Sequence, residues 1–121
     1  MLFKERHIPL IRSGTKTATR RDWGEGYNRP TKGSVHMAQT EFFESDAECD
    51  CYIRICEVYQ EPLGEMDHAD AEKEGGYTLE DFRRAWEVIN GEGSFDPEQV
   101  VDVVEFEYVG QERPEEAESD G

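Results

Sequence analysis

Behind one glycine the chain sets Lys16, Thr19 and Arg21, in the pattern G-x-K-x-x-T-x-R that begins at Gly14. These residue types suit base-assisted nucleophilic chemistry. A lysine crowded by other cations is pushed toward its neutral form, and Arg20 and Arg21 supply the crowding. A neutral lysine is a general base, and a base beside a threonine hydroxyl makes that hydroxyl a nucleophile. The plain alternative is a surface strand with solvated charges. Geometry adds a condition. On one regular strand Lys16 and Thr19 point to opposite faces, while Thr17, Thr19 and Arg21 share one. The conflict lifts if Lys16 sits in the turn after Gly14, from which its long stem curls back over the face of Thr19 and Arg21.

The elements that must position these groups are short. Leu2 to Ser13 reads as a strand and then a helix ending at Gly14, with Pro9 interrupting its first turn. Thr17 to Arg21 favours a strand. A glycine- and proline-bearing loop runs from Gly24 to Gly33, and strands follow near Val35–Phe43 and Tyr52–Tyr59, joined by the acidic segment Glu44–Asp50. Met66–Glu74 is a short helix stopped by Gly75-Gly76. Thr78 caps the next, with Asp81 in the place of a capping-box partner. There Leu79, Phe82, Ala85, Trp86 and Ile89 keep helical spacing, which predicts one buried face and a core Trp86. Val100–Val109 is a final strand, with Val104, Phe106 and Tyr108 on one side. The pattern predicts one α+β domain over residues 1–109, a curved sheet or partial barrel with two or three helices, followed by a disordered acidic tail over 110–121.

Charge divides the chain unevenly. The 121 residues carry a net charge of -16. Residues 1–36 nonetheless hold eight Lys and Arg against three acids, a net of +5 that marks where an anionic or electron-rich ligand would bind. The acids elsewhere are spread along the chain, and arginine outnumbers lysine nine to four. That distribution fits high internal salt, as in a halophilic archaeon, better than a basic partner. At about 1 M salt the Debye length falls to about 3 Å, so the global charge does not forbid an anion or a nucleic acid. No apolar run reaches a membrane span and the N-terminus lacks a signal-peptide pattern, which places the protein in the cytoplasm. No obligate protein partner is evident. Cys49, Cys51 and Cys56 have no matching Cys or His pair, so reduced thiols without metal are expected, and no cofactor.

The run from Phe3 through Lys32, centred on the lysine motif, resembles an ASCH domain, a relative of the PUA-like RNA-binding fold. Ala71-Glu72-Lys73-Glu74-Gly75 followed by Thr78-Leu79-Glu80-Asp81-Phe82 is similar to the family's second half. The resemblance spans roughly residues 2–109. It implies a PUA-like pseudo-β-barrel of short, mostly antiparallel strands around a cleft lined by the motif. A small branch with threonine in place of glutamate consists of amidohydrolases that remove the acetyl group of N(4)-acetylcytidine. The resemblance then implies Lys16 as base, Thr19 as nucleophile and Glu74 as the acid that protonates the leaving amine. The Glu74 match requires an extra glycine, Gly76, and Glu72 is its rival.

Around that triad, Arg20 and Arg21 are substrate-binding candidates, Arg21 either steadying negative charge or forming a structural salt bridge across the barrel. Trp23 and Tyr27 could stack on a base, or Trp23 could pack as a lid. Arg29, Lys32 and His36 are exposed surface charge by default, and would contact phosphate if the substrate is RNA rather than a nucleoside. Two function classes stay open: an amidohydrolase of acetylated cytidine, and a noncatalytic RNA-binding module that uses the same basic cleft.

Overall fold

A computed structural model describes residues 1–40 and 51–112. Four antiparallel strands form one sheet: β1 (Ala18–Arg21), β2 (Val35–Ala38), β3 (Cys51–Pro62) and β4 (Val100–Gly110), in the order β1-β4-β3-β2. Three α-helices join it: α1 (Ile8–Ser13), α2 (His68–Gly75) and α3 (Leu79–Asn90). The α+β class follows, but the strands are not uniformly short, since β3 has 12 residues and β4 has 11.

The sheet curls because β3 and β4 slip against each other. Ile55 pairs with Phe106 and Glu57 with Glu105, so Cys56 is an extra residue, a β-bulge. The bulge also shifts the inward set from Ile53 and Ile55 to Val58, which a strict alternation would have turned outward. Each face of the sheet carries a core. One packs Phe3, Ile8 and Ile11 against Ile53, Ile55, Val104 and Phe106. The other packs Leu63, Met66, Ala71, Phe82 and Trp86 against Val101.

Several expected boundaries move for local reasons. Leu2 makes a single parallel bridge with Gln39, and a 3-10 turn (Glu5–His7) leads into α1 with Pro9 in its first turn. The second helix starts two residues later than expected because Asp67 caps it, exchanging backbone and side-chain hydrogen bonds with Asp70 in a complete capping box. Thr78 caps α3 by accepting from the Asp81 N–H. On α3 only Phe82 and Trp86 are buried. Leu79 and Ile89 are exposed, although they share the helical spacing. Tyr108 is also partly exposed, and Gly110 belongs to β4 rather than to a tail. Phe43, the Glu44–Asp50 connection, Cys49 and residues 113–121 lie outside the described residues.

Candidate active site

The lysine motif occupies a sheet edge held between two helix ends. Gly14 closes α1 in the left-handed conformation at φ 81°. Its N–H donates to Ile11 O, while the N–H groups of Thr15 and Lys16 both reach Leu10 O. This Schellman-type stop leaves Lys16 in the turn, one residue short of the strand. The end of α2 is wider. Gly75 (φ 146°) and Gly76 (φ 79°) open the turn so that the Tyr77 N–H reaches back to Ala71 O. The last carbonyls of α2 are thereby available to the motif: the Thr17 N–H donates to Lys73 O at 2.8 Å, and Lys16 Nζ donates to Glu74 O at 2.7 Å. A cation at the negative end of a helix is a favourable arrangement.

Because β1 is the outermost strand, side chains from both of its faces reach one space beyond the edge. Thr19 shares a face with Val104, and Arg20 shares the opposite face with Val103. Yet Lys16, Thr19, Arg20, Arg21 and Glu74 all line one cavity of about 360 Å³, a size within the usual range for small-molecule sites. Phe3, His7, Tyr77, Ala85, Trp86 and Ile89 form much of its remaining wall. Lys16, Thr19 and Glu74 are 3%, 5% and 3% exposed.

The hydrogen bonds fix what each group can do. Lys16 Nζ donates to Ala18 O at 2.9 Å as well as to Glu74 O, and stands 3.7 Å from Glu74 Oε1. A neutral amine has two N–H bonds and one lone pair, so those two carbonyls take both hydrogens and leave the lone pair as the free valence. Thr19 Oγ1 accepts from Arg21 Nε at 3.0 Å, which leaves its own hydrogen to give. Glu74 Oε2 accepts from Arg20 at 3.0 Å.

Burial is the main electrostatic force here. It pushes Lys16 down to about 8, with Arg21 and Arg20 adding to the effect and Glu74 opposing it. Crowding by arginines, the cause read from the sequence, is thus secondary. Burial also raises Glu74 above the ordinary carboxyl range against the pull of Lys16 and Arg20. His7 falls to about 4 through burial and then through Lys16, Arg6, Arg21 and Lys4, so it is neutral at pH 7. Its Nε2 meets the Tyr77 hydroxyl at 2.9 Å across the cavity. Sequence spacing gave no sign of this pair, whose members are 70 positions apart.

The two arginines have different roles. Arg20 is a structural hub: it bonds to Glu61 and Glu74 and lies 3.9 Å from Asp70. Arg21 makes no ion pair among the described residues. It donates to Thr19 and to Leu2 O, and its guanidinium lies 5.0 Å from the Phe3 ring centroid. The salt-bridge alternative therefore belongs to Arg20.

Other sequence candidates are placed elsewhere. Glu72 is exposed on α2 and pairs with His68, whereas Glu74 faces the cavity. Trp23 and Tyr27 stack on each other at 4.6 Å and line an adjoining groove, which meets the main cavity at Leu2 and Arg21. Trp23 also packs against the first core. Arg29 is bound to the buried Asp102, Lys32 to Glu57 at 2.8 Å, and His36 to Ser34, so these three are not a free phosphate track. Trp86 is buried as expected, and its indole Nε1 has no hydrogen-bond partner among the described residues.

Solved structures share this architecture. An ASCH domain from Lactobacillus crispatus JV V101 superposes with a TM-score of 0.70 over 85% of this chain and 70% of its own, at 18% identity. The chain has the ASCH-type, PUA-like fold. The same ASCH-type architecture aligns with a DUF984 protein of Enterococcus faecalis V583 (TM-score 0.61, 22% identity, 87% of this chain and 68% of that one). It also aligns with hypothetical protein PH0355 (TM-score 0.63, 16% identity, 88% and 94%). No family model matches the sequence, and no curated protein does. No helix among the described residues is long and apolar enough to cross a membrane.

Proposed function

We propose that this chain is an ASCH-family amidohydrolase that deacetylates N(4)-acetylcytidine, as a nucleoside or within RNA. The carrying observation is the convergence of Lys16, Thr19 and Glu74, all buried, on one cavity at the edge of the sheet. Their environments pull the two titrating groups in useful directions, the lysine toward a base and the carboxyl toward an acid.

In this reading Lys16 takes the Thr19 proton as Oγ1 attacks the acetyl carbon. The developing oxyanion is met by positive charge from Arg21. The C–N bond then breaks, Glu74 protonates the departing N4, and the acetyl group is left as an ester on Thr19. Water attacks that ester and gives its proton to Glu74. The Lys16 ammonium returns its proton to Thr19 Oγ1, acetic acid leaves and loses its proton to solvent as acetate, and every group regains its starting state. Trp86 Nε1, a buried donor without a partner among the described residues, suits an acceptor on the ligand.

The decisive test is turnover by purified protein in molar salt. Cytidine and acetate should appear, and Lys16→Ala or Thr19→Ala should lower the rate by roughly 10²–10⁴-fold. A folded wild-type protein that binds RNA but releases no acetate would sink the proposal and leave the binding-module reading.

A further inference from the structure

Among the described residues, most cations without an ion pair line this cavity. With 29 acids to 13 Lys and Arg, each cation could find more than one partner. Seven of the described ones reach a carboxylate within 4.0 Å: Lys16, Arg20, Arg29, Lys32, Arg54, Lys73 and Arg84. Among the described residues, Lys4, Arg6, Arg21 and Arg83 have no ion pair. Arg83 lies against the Phe95 ring. The other three all line the cavity that holds Lys16 and Thr19. Lys4 and Arg6 are exposed on the turn leading into α1, and Arg21 is deeper.

The wall as a whole carries five Lys and Arg against Asp22 and Glu74. Glu74 is already engaged by Lys16 and Arg20. In a chain so rich in carboxylates, exposed cations left unpaired beside a cavity oppose the general trend of the surface. A free nucleoside has no charge for them to meet.

We infer that the ligand of this cavity is phosphorylated on its ribose, with Lys4 and Arg6 receiving the phosphate at the mouth. The inference rests on the reading of the cavity as a nucleoside site and specifies its substrate class. The phosphate belongs either to a mononucleotide or to an RNA chain. Phosphate is a strong acceptor for charged donors, and Arg6 can meet it bidentately. Arg29 and Lys32, the cations that sequence position favoured for this task, are already neutralised by Asp102 and Glu57.

Binding can be measured without any turnover. Calorimetry at about 0.1 M salt would compare cytidine, its 5′- and 3′-monophosphates and a short cytidine-containing oligonucleotide. A phosphate should tighten binding roughly tenfold, the order of one charge-assisted hydrogen bond. The Lys4→Gln/Arg6→Gln double variant should bring the nucleotide-to-nucleoside ratio close to one, and Arg83→Gln, with a single charge removed elsewhere, should leave it unchanged. A further gain for the oligonucleotide assigns the phosphate to RNA; equal or weaker binding assigns it to a mononucleotide. Equal affinity for cytidine and its phosphates, or an advantage that survives in the double variant, overturns the inference. Phosphate-dependent binding without acetate release would instead remove the amidohydrolase reading and leave this inference standing.

Discussion

Two halves of one basic segment have opposite fates. Residues 16–21 form the sheet edge, where Lys16 and Arg20 are buried and meet Glu74. Residues 24–33 form a loop, where Arg29 clamps Asp102 and Lys32 pairs with Glu57 in the open. In the sequence both halves carry more cations than acids. The difference lies in burial, which changes what a charge costs and so what it can do. A solvated Lys32 gains little from its partner. A buried Lys16 is costly as an ammonium, and that cost makes it available as a base.

The largest effect expected from breaking this contrast is on stability at the edge. Glu74→Leu strips Lys16 and Arg20 of their shared buried carboxylate, and chemical denaturation should report a loss of about 3–5 kcal/mol. A Glu74→Leu protein as stable as the wild type would mean that the edge is no more demanding than the loop. Smaller losses should come from the loop. Arg29→Ala leaves the buried Asp102 unpaired and should lower Tm with kcat retained, whereas Lys32→Ala should move neither quantity measurably.

The two lysines can also be compared by titration, which sharpens the contrast without mutation. Side-chain NMR should find Lys16 titrating near 8, because burial dominates, and Lys32 above the usual lysine value because Glu57 holds its proton. For Lys16 the folded value lies below the unfolded one. Between about 8 and the ordinary lysine value of 10.5 the unfolded chain therefore binds more protons, and this group's contribution makes stability rise with pH in that window. If Lys16 is the base, kcat/KM should climb about tenfold per pH unit below about 8 and level off above it. A Lys16 that titrates together with Lys32 would remove the physical basis of the contrast.

Local chemistry was readable from the sequence wherever one turn decides the outcome. Gly14 stops α1, Lys16 falls in the turn before β1, and the paired glycines end α2, as residue types alone imply. Gly76, which looked like an awkward insertion, opens the turn that exposes the Glu74 carbonyl to Lys16. Partnerships across the chain were not readable. Asp102 sits in a valine-rich strand, and nothing near it in sequence signals Arg29, 73 positions away. His7 and Tyr77 meet only once both helix ends are in place. The apolar stripe of α3 misled for another reason: spacing cannot tell a core from a cavity wall, and Ala85 and Ile89 line the cavity outside the core, while Phe82 and Trp86 belong to both. The bulge at Cys56 likewise leaves no pattern, since one extra residue breaks the alternation that would reveal it.

The position of β1 at the rim has a consequence for solubility. A sheet rim offers unpaired backbone groups to any passing extended chain, and natural proteins guard such rims with charge, brevity or a covering helix. β1 has all three: four residues, two arginines, and the end of α2 tied beside its start by the Thr17–Lys73 hydrogen bond. The cavity thus occupies ground that a foreign strand would need. A designer who replaced its buried charges with well-packed leucines could gain stability and still obtain a protein that pairs with its own copies.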